Sequence, residues 1–401
     1  MKPRHIGLVM LVHCCLPAAA SAQDLSIPFN ENATRSQYLA VFEPIAIGGG
    51  PASTGIQPGN NFVSLYGSVD MAVNYTNAGG KSVVRLQSGN VWTSKFGIYG
   101  QEDLGAQWTA FFRLESGFYA NNGAVQDTSS LFNRGSFVGV TNPVYGQLSM
   151  GRQYTSLGSV GLGADPFYAN AHDAVFTYMA GGADLGVGAT ADGLGRLHNT
   201  LRYQTPRIRG LAADVSYTFK ADQSPGPAVN ARTAAISYAG YASVIGLAFA
   251  QAWCDPTVVA SCTGTPAVAA TIRTDTFLAS ALHDFGPVVL QAAYLRTAPN
   301  HPGDGIANLY LLGAQKMWRG NLLRASLAYR DTTIEQNYAY GTTLGIDHFL
   351  SKRTALYARA GLIKNGPRSN LTYNYDSTSA STLVGYGASV TSFTVGMYTN
   401  F

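Results

Sequence analysis

From about residue 62 to its end, this chain alternates apolar and polar residues with a period of two, in runs of about ten. That period places successive side chains on opposite faces of an extended strand. In 211–220, Leu211, Ala213, Val215, Tyr217 and Phe219 share one face, and Ala212, Asp214, Ser216, Thr218 and Lys220 share the other. Segment 322–330 repeats the pattern, with Leu323, Ala325, Leu327 and Tyr329 against Arg324, Ser326, Ala328 and Arg330. At 64–75, Leu65, Val69, Met71, Val73 and Tyr75 oppose Ser64, Ser68, Asp70 and Asn74. No stretch of comparable length sustains a helical period with caps. The expected class is all-β.

A soluble sandwich alternates in the same way, so the pattern alone does not decide the solvent. Three further features favour a barrel in a bilayer. The runs are long enough for a tilted strand to cross, the connections alternate between tight and long, and many apolar faces end in Tyr or Phe. Sixteen segments are expected, starting near residues 62, 91, 106, 131, 146, 198, 210, 230, 242, 273, 286, 306, 320, 339, 353 and 382. Tight turns include Leu104-Gly105-Ala106, Arg209-Gly210, Phe285-Gly286-Pro287 and Arg319-Gly320, and longer loops lie near 76–90, 120–130, 221–229, 253–272, 297–305, 331–338 and 364–381. An even count brings both ends to one side, and closure is required because lipid offers no partner for an open edge. The last strand would turn Phe393, Val395, Met397, Thr399 and Phe401 to lipid.

Composition agrees with one face in hydrocarbon. Only 12% of residues are charged, about half the usual fraction of roughly 25%. The first residues read as an export signal: Lys2, Arg4 and His5, then an apolar run to Ala20, then Ala20-Ser21-Ala22, with cleavage expected after Ala22. The apolar run is too short for a membrane anchor, and His13 fits poorly before Cys14 in a lipoprotein signal. The net charge of +4 falls by the two charges of Lys2 and Arg4 once the leader goes. With no basic run, nucleic acid is not an expected partner. Cys254 and Cys262 remain, in a loop-like stretch with only Asp255 as a further metal ligand, so a disulfide is expected in an oxidising compartment.

The stretches SLYGSVDMAVNY (64–75), KFGIYGQEDLG (95–105), AFFRLESGF (110–118), LFNRGSFVGV (131–140), GQLSMGRQYTSLG (146–158), LSKRTALYARAGLIKNG (350–366) and VGMYTNF (395–401) carry a resemblance. In their order and spacing the chain resembles the general trimeric porins of Gram-negative bacteria, especially the neisserial and Burkholderia-type group. The resemblance implies sixteen strands per subunit, a homotrimer, and a third loop folded into the barrel, matched here by the Gly-rich connection 155–197. It also implies a bilayer with lipopolysaccharide as surroundings, delivery to the outer-membrane assembly machinery through the terminal Phe401, and small hydrophilic solutes and ions as cargo. Residues 23–61 depart from the family, whose first strand usually starts near the mature N-terminus. They are Pro- and Gly-containing, alternate little, and are expected to be a disordered or loosely ordered periplasmic extension.

A diffusion pore needs a narrow waist with cations on one wall and carboxylates facing them. Motif-to-motif correspondence implies Lys95, Arg134, Arg152 and Arg196 for the basic wall, and Asp165, Asp173, Asp184 and Asp192 from the long loop for the acids. Lys95 is inward if Phe96 and Ile98 face lipid. Arg152 shares the parity of Leu148 and Met150, so a bulge, or the chain's turn into the long loop, would have to re-aim it. Arg113 and Glu115 share one strand face, where they line the lumen or pair with each other. Gly158-Ser159-Val160-Gly161 lacks the glycine spacing of a nucleophile elbow, the histidines lack metal spacing, and no phosphate loop is present, so neither an enzyme nor a cofactor is expected. The expected function is a porin for passive diffusion; the alternatives are a substrate-specific channel or, on the same scaffold, an enzyme or adhesin.

Overall fold

The computed structural model describes residues 55–56, 61–168, 172, 174–179, 183–185, 195–220, 229–253, 272–351, 353–373 and 384–401. The expected signal peptide (1–22), most of the extension 23–61, Asp173, Asp192, and the pair Cys254 and Cys262 lie outside the described residues. The first half of the described chain carries β1 (Gly55–Ile56), β2 (Phe62–Ala78), β3 (Lys81–Ser88), β4 (Lys95–Gly105), β5 (Trp108–Gly117), β6 (Gly135–Asn142), β7 (Gly146–Tyr154), β8 (Arg196–Gln204) and β9 (Leu211–Phe219). The second half carries β10 (Val229–Ala239), β11 (Ser243–Trp253), β12 (Arg273–Asp284), β13 (Val289–Pro299), β14 (Ala307–Trp318), β15 (Asn321–Thr332), β16 (Tyr338–Phe349), β17 (Thr354–Asn365) and β18 (Ser389–Asn400). Two short helices, α1 (Ser156–Leu162) and α2 (Val175–Met179), lie in the connection from β7 to β8.

All strands join one antiparallel sheet in which sequence neighbours pair, and β18 pairs back onto β2 from Asn400 opposite Ser68 to Val390 opposite Ala78. The ring is therefore closed, with sixteen strands as staves. The two remaining strands are additions: β1 lies against Val63–Ser64 at the start of β2, and β3 forms a hairpin with the far half of β2. The sixteen expected segments are all present, most starting within a few residues of the expected point; the last starts at Ser389 rather than near 382. β3 falls where a loop was expected. Gly79 and Gly80, at φ +59° and +86°, form the two-residue turn that a tight hairpin needs.

Burial is inverted relative to a soluble protein. On β9, Leu211, Val215, Tyr217 and Phe219 are exposed, whereas Ala212, Asp214, Ser216 and Thr218 are buried. β18 likewise exposes Phe393, Val395 and Met397 and covers Ser392, Thr394 and Tyr398. An outward apolar surface around a polar interior is stable only where hydrocarbon surrounds the outside. Near the long-loop ends of β13–β16, outward tyrosines stack across the pairs: Tyr294–Tyr310 at 5.2 Å, Tyr310–Tyr329 at 6.4 Å and Tyr329–Tyr340 at 4.9 Å between centroids. Such a belt belongs at a membrane–water interface. No helix among the described residues is long and apolar enough to cross a membrane.

The seam between the first and last staves depends on one missing side chain. The backbones of Gly67 and Phe401 exchange two hydrogen bonds of 3.0 Å. A Cβ on Gly67 would stand 2.4 Å from the Phe401 ring and 2.5 Å from the Lys95 carbonyl. We expect Gly67→Val to displace the terminal ring and destabilise the folded barrel by about 1–3 kcal/mol, the usual cost of overpacking. Heat-dependent gel mobility of the detergent-solubilised protein, which separates folded from unfolded barrels, would register a lower melting temperature.

Candidate pore constriction

The connection after β7 enters the barrel and is held to its inner wall. α1 starts at Thr155, whose Oγ1 accepts the Gly158 N–H at 3.0 Å, and packs against β10, β11 and β12. α2 packs against β14, β15 and β16. Three groups of wall side chains fix this path. Arg202 on β8 donates to Asp214 on β9 at 3.0 Å and to Ser159 Oγ at 2.6 Å, while Ser156 Oγ donates to Asp214 at 2.8 Å. Arg324 on β15 donates to the Pro166 carbonyl at 2.7 Å, and the Asp347 carboxylate lies between Arg324, at 3.1 Å, and Arg359, at 2.6 Å. Arg330 pairs with Asp184 at 2.5 Å and donates to Asn337 Oδ1 at 2.6 Å.

A separate group occupies the wall formed by β4, β5, β6 and β8. Lys95 shares its covered face with Gly97 and Tyr99, opposite Phe96 and Ile98. Glu115 accepts from Arg134 at 2.8 Å and from the Tyr66 hydroxyl at 2.9 Å. Arg113, two residues earlier on the same face, sits about 6 Å from the rings of Tyr66, Tyr99 and Phe137, at 5.9, 6.0 and 5.8 Å. The Arg196 guanidinium lies 3.9 Å from the Tyr154 ring centroid and donates to the Tyr154 hydroxyl. Lys95, Arg134, Arg196 and Arg113 all act electrostatically on Glu115. Among the described residues, these cations thus share one sector of the wall with Glu115, which bonds directly to Arg134.

Lys95, Arg134 and Arg196 are therefore brought together, and Arg113 and Glu115 join them. Arg152 lies beside Arg196, on which it acts electrostatically, at the edge of this group. Gly151 pairs with Thr200 and Gln153 with Leu197, so the extra residue lies on β8, where His198 and Asn199 (φ +52°) together stand opposite Arg152. The alternation of β7 runs on through it, with Gln147, Ser149 and Gln153 covered, and its guanidinium donates to the carbonyls of Asn133, at 2.5 Å, and Arg196, at 3.3 Å, and lies 3.0 Å from the exposed His198 ring.

Of the four loop acids, Asp165 and Asp184 are among the described residues. Asp184 is paired with Arg330 on the far side of the barrel. Asp165 is buried and accepts the Phe167 N–H at 2.9 Å; burial pushes its carboxyl up to about 6, with the Phe167 and Phe176 amides and Arg324 pulling the other way. Among the described residues, the acid bonded to a cation of this wall is Glu115, supplied by the wall itself. The anchoring residues Arg202, Asp214, Asp347 and Arg359 had no local motif to flag them. Arg324 and Arg330 carried the one sequence signal available, an inward parity. Among the described residues no cluster of three or more His, Cys, Asp or Glu is poised to hold a metal ion.

Comparison with known proteins places this architecture. The family model described as Gram-negative porin matches residues 8–368. Outer membrane porin protein 32 of Delftia acidovorans is 29% identical over 330 residues, 80% of this chain and 89% of that protein. A second outer membrane porin protein, from Bordetella pertussis, is 31% identical over 188 residues, 42% of this chain, which spans under half (45%) of that relative's length. Among solved structures, an anion-selective porin from Comamonas acidovorans matches with a TM-score of 0.72 and 26% identity, over 84% of this chain and 99% of that one. With a closed barrel, an inward loop and a family match over most of its length, the chain belongs to the Gram-negative porins and is a protein of the outer membrane.

Proposed function

We propose that this porin is a water-filled channel for passive diffusion of small hydrophilic solutes, with a preference for anions set at the Lys95–Arg113–Glu115–Arg134–Arg196 wall. The observation that carries the reading is that, among the described residues, Lys95, Arg113, Arg134 and Arg196 share this wall with Glu115, which is bonded to Arg134, on a wall whose low-dielectric backing strengthens their field. The loop acid Asp184, which a balanced waist would need, is paired with Arg330 instead. The solved relative from Comamonas acidovorans is itself named anion-selective, which supports the same sign. Three copies per assembly belong to this reading, as the family resemblance implies. The relatives are channels by name, and no observation favours an enzyme or an adhesin.

Reversal potential in a salt gradient across a planar bilayer tests the sign directly. Wild-type protein is expected to pass chloride in preference to potassium, and a cation-selective reversal potential would defeat the reading. A unit charge about 8 Å from a passing ion, at an effective dielectric near 60, contributes about 0.7 kcal/mol, a factor of about three for each ion. Lys95→Gln or Arg134→Gln should therefore lower the anion-to-cation ratio by up to about tenfold. Glu115→Gln should move the ratio the other way and reduce conduction of cations, with the effect shrinking as salt rises above about 1 M.

A further inference from the structure

The stave beside β2 is interrupted. β3 pairs with β2 as far as Ser88 opposite Met71, and β4 resumes with Lys95 opposite Ser68. Between those registers β2 has only Val69 and Asp70, whereas the facing chain has residues 89–94. The surplus backbone cannot bulge into lipid, where its polar groups would find no partner. It turns into the barrel, carrying Val91 and Trp92 to buried positions.

Asp70 fastens it there. This side chain is inward and fully buried, and its Oδ2 accepts the N–H groups of Val91 at 2.6 Å and Trp92 at 2.7 Å. Its Oδ1 accepts the hydroxyl of Tyr357 on β17 at 2.6 Å. The backbone of the same residue is engaged as well: its carbonyl accepts from Gly89 N–H at 2.9 Å and Ser94 Oγ at 3.1 Å, and its N–H donates to Ser94 Oγ at 3.0 Å. Both ends and the middle of the excursion are thus tied to one residue.

The fastened segment meets the long inward loop at its tip. The Asn90 carbonyl accepts the His172 N–H at 2.9 Å, and the Gln87 amide lies 3.1 Å from His172 Nδ1. The Trp92 indole stacks on the Tyr168 ring at 5.6 Å and meets Tyr398 edge-on at 6.2 Å. On the other side, Arg324 sits 4.9 Å from the Tyr168 ring, so the tip lies between two walls.

We propose that residues 89–94 form a seat that holds the tip of the long loop, and that Asp70 and Trp92 are positioning residues that set the bore through it. The proposal rests on the channel reading above. Neither residue belongs to the basic wall, so loss of the seat alters bore and solute size limit rather than the sign of selectivity. Trp92→Ala removes no charge and keeps the wall intact.

Single-channel conductance, together with liposome swelling in neutral sugars of graded size, tests it. Asp70→Ala and Trp92→Ala should each raise conductance at least ~1.5-fold and admit larger sugars, because conduction through a waist follows its bore. A cysteine pair supplies the rescue: Asn90→Cys with His172→Cys, in a Cys254→Ser, Cys262→Ser background, joins backbones already linked by a hydrogen bond and within disulfide reach. Added to Trp92→Ala, the oxidised pair should restore wild-type conductance, and reduction should release it again. Folded Trp92→Ala channels with unchanged conductance and size limit, or an oxidised pair that restores nothing, would overturn the seat. A wild-type protein that conducts nothing would instead overturn the channel reading. If Asp70→Ala fails to assemble, Trp92→Ala and the cysteine pair decide.

Discussion

Every backbone amide and carbonyl in a bilayer must find its partner within the protein, and that requirement shapes each part of this molecule. It forces the sheet to close, which here means β18 returning to β2 along eleven paired positions. Closure in turn separates two solvents, so each strand carries an apolar face outward and a polar face inward. It also dictates where irregularities go. The extra residues at 89–94 turn inward, where Asp70 can satisfy them, and Gly67 leaves its outward face bare so that the terminal Phe401 ring can cover the seam.

Once the interior is polar, the long loop cannot be held there by hydrophobic contact alone. Its helices do bury Leu157, Val160, Phe176 and Met179 among inward apolar residues. Its course, however, is fixed by charged pairs: Arg202 with Asp214, Arg324 and Arg359 with Asp347, and Arg330 with Asp184. Removing one partner of a buried pair leaves an uncompensated charge, which costs about 3–5 kcal/mol. These pairs therefore specify one loop path over others. The loop's own backbone and side chains are joined to the same groups, as when Ser159 Oγ accepts from Arg202 and the Pro166 carbonyl from Arg324.

Much of this was legible in the sequence because a strand's side-chain period is two, so one lipid-facing residue assigns its whole strand. Lys95 followed from Phe96, and the orientation of Phe401 from Phe393 and Val395. Parity says less where registers shift. Arg152 keeps the lipid-side parity of its own strand, and what its guanidinium meets depends on Asn133 and on His198 at the β8 bulge, which are distant in sequence. The hairpin at Gly79-Gly80 had a readable turn signal that a loop of the expected length absorbed. The excursion at 89–94 had none, since its surplus exists only relative to the count on β2. The anchoring arginines were visible as inward residues, but their carboxylates lie at separations no local pattern spans: Arg330 and Asp184 are 146 positions apart.

The distribution of carboxylates separates two kinds of inward arginine that sequence alone treats alike. Arg202 and Arg330 each have an acid of their own within ion-pair distance, and Arg324 and Arg359 share Asp347, so these pairs serve to hold the wall and the loop together. On the opposite sector, Lys95, Arg113, Arg134 and Arg196 gather around the carboxylate of Glu115. One carboxylate suffices to orient Arg134 and to receive the Tyr66 hydroxyl, which fixes the geometry of the wall. Asp184 is engaged by Arg330 on β15 as an anchor, so among the described residues holding the loop and orienting the wall draw on different carboxylates, and the proposed anion preference follows from that allocation.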